Sequence, residues 1–241
     1  MKKLIFLALP LFIAACGGGG DSSSSSTPAP TLNLNAAYVD YIKTGNTTTS
    51  TISGYCSGTS VVTNSAATLG KNGAGVAAYI VNNTEKDTIS ASSPTVCSTK
   101  IYNSNEGGQV YQNYYDTTNL LPISDGYSPK YYVYGSQQAA PASVTAGSAG
   151  SFYTYQDYKG GASPVTSAIV TYAVSADTAS TLLVTVTETS TLISSGAPYF
   201  SNTTIYRLNA NNTLTKISNK LQAYNAATGF GDITTTETVV R

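Results

Sequence analysis

Histidine and tryptophan do not occur in this 241-residue chain, methionine occurs once, and charged residues make up only 10% of it, against about a quarter in ordinary soluble proteins. Each shortage excludes something. Without histidine the usual general base near neutral pH is missing, and so is the commonest metal ligand. A serine hydrolase would then need lysine as its base, yet no lysine has a serine three residues before it. No Asp-Thr-Gly supplies an aspartic-protease pair, and no calcium loop of the EF-hand type is present. Twelve basic residues balance twelve acidic ones. The basic residues are scattered singly, so nucleic acid has no electrostatic footprint to use.

Serine, threonine, asparagine and glycine fill the gap, together with 19 tyrosines. Uncharged, β-branched and aromatic side chains pack well on a pleated sheet, so the composition predicts an all-β chain. Its length suits a leader, a tether and one β-rich domain over residues 32–241.

The first fifteen residues carry Lys2 and Lys3, an apolar stretch from Leu4 to Ile13, and small residues before Cys16. This is the layout of an export signal, too short to span a bilayer. Its removal leaves ten basic against twelve acidic residues, a net charge of −2. Ile13-Ala14-Ala15-Cys16 resembles the bacterial lipobox. That resemblance implies lipidation of Cys16, which becomes the mature N-terminus, and Gly17 after it implies sorting to the outer membrane. Membrane attachment through several acyl chains would be effectively permanent, because each buried CH₂ contributes about 0.8 kcal/mol. Residues 17–31, with four glycines, five consecutive serines and two prolines, read as a disordered tether spanning on the order of 20 Å.

Of three cysteines, one is then acylated, leaving Cys56 and Cys97 for a disulfide in an oxidising compartment. Metal binding is the rival reading, for which two cysteines without histidine are a poor ligand set.

Within the domain one helix is expected, capped by Asn35, carrying Tyr38, Tyr41 and Ile42 on a packing face, and ended by Gly45. Short β-like runs follow at Thr49–Tyr55, Thr59–Thr63 and Val76–Val81. Residues 100–150 read as long loops with some strand at Val110–Tyr115 and Tyr131–Tyr134, broken by Pro122, Pro129 and Pro141. The clearest hairpin joins Ile169–Ala176 to Thr181–Thr189. Val170, Tyr172 and Val174 share one face of it, Leu182, Val184 and Val186 share a face of the partner arm, and Thr171, Thr185 and Thr187 point the other way. A second hairpin, Thr203–Asn209 with Leu214–Leu221, turns at Asn211-Asn212, and Phe152–Tyr158 and Ile233–Val239 flank the set. The expected architecture is an antiparallel meander forming a curved sheet, barrel or sandwich. A membrane-spanning barrel is not expected, because both faces of the strand at Thr203 carry polar groups where a lipid-facing band should be apolar.

Val144-Thr145-Ala146-Gly147, Gly54-Tyr55-Cys56-Ser57-Gly58-Thr59, Tyr206-Arg207-Leu208 and the run from Tyr172 to Thr181 resemble uncharacterised proteobacterial lipoproteins. The resemblance implies a fold and an address, and it carries no catalytic residue and no cofactor.

Glu85 and Asp87 are expected to bracket a turn. Gly73-Ala74-Gly75 matches part of a dinucleotide fingerprint, but no apolar strand precedes it and Pro94 falls near where the ribose-binding acid should be, so it reads as a loop entering a strand. Tyrosine is the enriched candidate for recognition. Tyr132 with Tyr134, and Tyr153 with Tyr155, sit two apart and share strand faces, where they could stack on a sugar or a peptide or pack across strands. The functional expectation is a non-enzymatic envelope lipoprotein that binds a glycan or protein ligand or has a structural role. The alternative is an exported hydrolase of glycosidase type, its carboxylates drawn from Asp116, Asp125, Asp157 and Glu188.

Overall fold

The computed structural model describes residues 30–98, 109–126, 132–158, 161–224 and 233–240. The export signal, Cys16, most of the tether, Pro129 and Tyr131 lie outside the described residues. Among the described residues the fold is all-β, with one long helix, α1 (Leu34–Thr44), a short helical turn at 95–98, and thirteen strands.

The first five strands are β1 (Asn46–Gly54), β2 (Gly58–Asn64), β3 (Thr68–Lys71), β4 (Ala77–Ile89) and β5 (Gln109–Tyr115). The middle of the chain adds β6 (Pro122–Ile123), β7 (Tyr132–Gln137), β8 (Ala149–Asp157) and β9 (Thr166–Ala176). The last four are β10 (Leu182–Leu192), β11 (Pro198–Leu208), β12 (Leu214–Ala223) and β13 (Ile233–Val239).

From β7 to β13 each strand pairs antiparallel with the next. The meander then continues through the chain ends. β13 pairs with β1, Ser50 opposite Val239 and Ile52 opposite Glu237, and the order runs on through β2, β4, β5 and β6. β3 continues the line of β2 along the first half of β4, Thr68 opposite Ile80. The result is a nearly closed barrel whose gap lies between β6 and β7, where Gln137 Nε2 donates to the Pro122 carbonyl at 2.5 Å.

The alternation expected of the β9–β10 hairpin is present. Val170, Val174, Leu182 and Val184 are buried, while Ile169, Ala173, Ser175 and Thr189 are exposed. Val184 stands opposite Val174 on one side and Tyr206 on the other, and this register defines the lumen face of the barrel. The opposite face carries Thr171, Thr185 and Thr187 on these strands, Thr203 and Arg207 on β11, Lys220 and Gln222 on β12, and Thr234, Thr236 and Thr238 on β13. Threonine there satisfies the strand preference without charge.

One end of the barrel is plugged by α1. Leu34 and Ala37 pack with Val174, Leu182, Val184 and Leu208, while Ile42 packs with Val81 and Leu120. The helix cap is Asn33, and the expectation for Asn35 is corrected. Asn33 holds an extended backbone, and its Oδ1 accepts from Ala36 N at 2.9 Å. Asn35 instead donates through Nδ2 to the Ala140 carbonyl, tying α1 to the segment before β8. Gly45 ends the helix as expected, at φ 70°, and a Cβ there would lie 2.6 Å from the backbone of residues 64–66. At the other end, Cys56 and Cys97 form a disulfide with Cα atoms 5.7 Å apart, packed with Ile52. It joins the β1–β2 turn to the segment after β4 and closes a 41-residue separation, a constraint of about 4 kcal/mol on the unfolded chain.

Glu85 and Asp87 do not bracket a turn. They lie two apart inside β4, opposite Val62 and Ser60 of β2. Polar side chains around them suggested a loop, but here they are on the lumen side of a thirteen-residue strand.

Val184 is 1% exposed, so Val184→Asp places an unpaired carboxylate in the helix-filled end of the barrel. That should cost about 3–5 kcal/mol, whereas Thr185→Asp, on the outer face, should cost less than about 1 kcal/mol. Urea melts of the two variants check this, and equal losses would contradict the assignment of faces.

Candidate functional site

Below the plug the lumen is not filled. A cavity of about 1120 Å³ remains, at the upper end of the roughly 300–1,000 Å³ usual for small-molecule sites. Nine tyrosines among the described residues line it: Tyr38 and Tyr41 from α1, Tyr111, Tyr114 and Tyr115 from β5, Tyr132 and Tyr134 from β7, Tyr153 from β8, and Tyr206 from β11. Phe152, Ile42, Val81, Val170 and Val186 supply apolar wall, and Asn64, Asn113, Gln138 and Asp125 supply polar wall. Among the described residues no lysine or arginine lines it.

Two local irregularities build the aromatic wall. A register shift between Ser151 and Tyr153 on β8 brings consecutive Phe152 and Tyr153 to the same cavity. Phe152 then stacks on Tyr172 at 4.8 Å and on Tyr38 of the helix at 6.4 Å. The second shift, between Tyr134 and Gln137, frees Gln137 for the seam. Tyr41 meets Tyr206 edge-on at 5.7 Å. The helix stripe of Tyr38, Tyr41 and Ile42 therefore packs and also lines the cavity.

The four tyrosines picked out by spacing form one cluster across β7 and β8. Tyr132 contacts Tyr155 edge-on at 5.5 Å, and Tyr134 contacts Tyr153 at 5.6 Å, offset geometries favoured by the ring quadrupole. Tyr132, Tyr134 and Tyr153 line the cavity, while Tyr155 lies just behind them and donates its hydroxyl to Glu188 Oε1. Burial pushes the phenol of Tyr155 far up, and the adjacent Glu188 carboxylate adds to this. Glu188 itself is raised by burial, partly offset by that hydrogen bond. Tyr115 is pushed up to about 12, chiefly by burial. These tyrosines stay protonated in ordinary conditions and act as hydrogen-bonding aromatic surface.

A second group of carboxylates sits on the lumen face of β4 and β13, outside the residues that line the cavity. Tyr111 donates to Glu85 Oε2 at 2.9 Å. Asp87, 5% exposed, is raised to about 6 by burial, with Glu85 and Glu237 adding to the shift. Its neighbour Ser60 offsets part of it without reaching hydrogen-bond geometry. Glu237 is also raised by burial, offset by Lys216 at 3.5 Å. Several buried lumen-side atoms have no partner among the described residues, including the acceptor oxygens Asp87 Oδ1, Asn83 Oδ1 and Asn202 Oδ1.

The carboxylates considered for hydrolysis separate. Asp116 caps the β5–β6 turn, accepting from Thr118 N and Asn119 N. Asp125 is at the cavity wall, Asp157 faces Tyr132 at the end of β8, and Glu188 is engaged by Tyr155. Among the described residues no group of three histidine, cysteine or acidic side chains is placed to hold a metal ion. Gly73–Gly75 forms the turn from β3 into β4, with Asn72 Oδ1 accepting from Ala74 N and Val76 N. Pairing by sequence spacing found the β7–β8 cluster. It did not single out Tyr206, from a strand distant in the chain, or Glu85 as a tyrosine partner. No family model, no curated protein and no solved structure matches this chain.

The raised carboxylates fix the sign of the pH dependence. A carboxyl with a folded pKa above its unfolded value of about 4 binds more protons when folded, so its contribution is complete below that value and lost as pH rises through the folded pKa. Stability to urea should therefore fall between about pH 4 and pH 7, and Asp87→Asn should remove on the order of 1 kcal/mol of that fall. A profile that rises over this window would contradict the buried placement of Asp87.

Proposed function

We propose that this protein is a lipid-anchored outer-membrane lipoprotein whose barrel holds a small organic molecule in its tyrosine-lined lumen and does not turn it over. One observation carries the reading: a cavity of about 1120 Å³ that, among the described residues, is walled by nine tyrosines drawn from α1, β5, β7, β8 and β11. A close-packed protein interior leaves few voids larger than a water molecule. A void of this size with convergent hydroxyls, amides and ring faces has the make-up of a binding site. The rings of Tyr134 and Tyr153 line a concave cavity, which favours a small molecule or a short glycan over a flat protein partner.

The address rests on the lipobox at Ile13–Cys16 and on the tether that follows it. The threonine-rich outer face of the strands accords with a domain held in water beside the membrane rather than within it. One feature favours the alternative, hydrolysis: the carboxyl of Asp87, raised to about 6 near Glu85 and Glu237. Against it, Asp87 is not among the residues that line the cavity.

Because tryptophan is absent and nine of the 19 tyrosines line the cavity, tyrosine emission responds to a ligand bound there. Titrating the full chain with neutral aromatic probes, 4-methylumbelliferyl glucoside and 2-naphthol, should give saturable binding and altered tyrosine emission. Val186→Phe, which narrows the lumen, should weaken binding at least about tenfold, the equivalent of about 1.4 kcal/mol. Absence of saturable binding by either probe would overturn the lumen as a binding site. Release of methylumbelliferone would instead support the hydrolase.

A further inference from the structure

Resting on that reading, we propose that the lumen takes a short glycan, a chain of pyranose units recognised through its hydroxyls. The wall offers groups of one chemical kind. Tyr115, Tyr132, Tyr134 and Tyr153 line the cavity together with Asn113 and Gln138, and no other described residue takes up their hydroxyls or side-chain amides. Each of these groups both donates and accepts hydrogen bonds. So does every hydroxyl of a sugar. An apolar ligand would strip water from the wall and leave its polar groups unpaired. A ligand carrying hydroxyls replaces that water like for like.

The hydroxyls converge. Burial raises the phenol of Tyr38 well above its usual range, and the phenols of Tyr115, Tyr153, Tyr134 and Tyr206 add to the shift. Such an effect requires proximity, so α1, β5, β7, β8 and β11 bring these groups to one space. Aromatic surface lies among them: Tyr134 meets Tyr153 edge-on at 5.6 Å, and Phe152 lines the same cavity. A pyranose matches such a wall, since the C–H groups of its faces lie against aromatic rings while the hydroxyls around its rim meet donors and acceptors. The cavity also reaches solvent. Tyr111 on β5 and Tyr132 on β7 line it and are 41% and 44% exposed, whereas Tyr115 and Tyr153 are half-buried. A volume of about 1120 Å³ is more than one pyranose ring fills. A chain of several units would run from the inner tyrosines towards the exposed pair.

The test is isothermal titration of the full chain, held in phosphatidylcholine nanodiscs, with cellotriose and maltotriose, trisaccharides of opposite linkage geometry, and with 2-naphthol as an aromatic carrying a single hydroxyl. At least one trisaccharide should bind saturably. Tyr134→Phe and Tyr153→Phe keep the ring and remove one hydroxyl each. Each should weaken that trisaccharide at least about threefold more than it weakens 2-naphthol, the loss of one hydrogen bond. Should neither variant fold, Gln138→Met, at an exposed position ahead of β8, is read in the same way. Trisaccharide binding that these variants leave unchanged relative to 2-naphthol overturns the proposal, and so does 2-naphthol binding when neither trisaccharide binds. The latter result leaves the lumen standing as a binding site, whereas failure of all three probes removes the binding function as well.

Discussion

The antiparallel pairing of β13 with β1 is the contact on which the rest of the structure depends. It joins the last strand to the first, Thr235 opposite Gly54 and Val239 opposite Ser50, and so turns two meanders into one continuous sheet. Without it the chain would have four exposed edges, each a template for association. With it the sheet has one gap, between β6 and β7, where the Gln137 side chain and the Pro122 carbonyl take over from the ladder. Gly54 and Gly58 permit the tight turn beside this pairing. A Cβ at Gly58 would come within 2.1 Å of the Thr88 carbonyl oxygen, so β2 could not lie against β4 with any other residue there.

A twelve-strand path closes around more volume than side chains fill, since about eight strands already give an interior just wide enough to pack. The excess is handled in three ways along the barrel axis. At one end α1 enters as an apolar plug against Val174, Leu182 and Leu208. At the other, the disulfide packs with Ile52, Ile89 and Val96. Between them the longest available aromatic side chains reach inward and still leave a cavity. Tyrosine is suited to that middle layer. It covers apolar area with its ring and carries a hydroxyl that finds partners such as Glu188, Glu85, Asn46 and the Leu120 carbonyl. The raised pKa values of the carboxyls are the electrostatic consequence of enclosing them there.

What was legible in the sequence was what strands dictate locally. The alternation of Val170, Tyr172 and Val174 against Leu182, Val184 and Val186 has one physical solution, and the structure has it. The Asn211-Asn212 turn is likewise present, with Asn212 at φ 58°. The cysteine pair followed from counting. The choice of Asn33 over Asn35 was not legible, because both asparagines can cap and only the carbonyl of Ala140, more than a hundred residues away, decides between them. Glu85 and Asp87 were misread because strand propensity disfavours acids, while a polar lumen accepts them. The cavity was the least legible feature. Its wall depends on the bulge at Ser151–Tyr153 and on the meeting of Tyr41 with Tyr206, neither of which leaves a periodic signal.

The central claim is that a nearly closed sheet surrounds an unfilled lumen. Cysteine placed at Val186, which lines the cavity, and at Thr185, which faces outward, tests it by labelling with a small and a bulky water-soluble thiol reagent. The Thr185→Cys variant should react with both. The Val186→Cys variant should react with the small reagent and resist the bulky one. Inertness of Val186→Cys to both would mean a packed interior with no cavity, and equal reaction with both would mean an open sheet with no lumen.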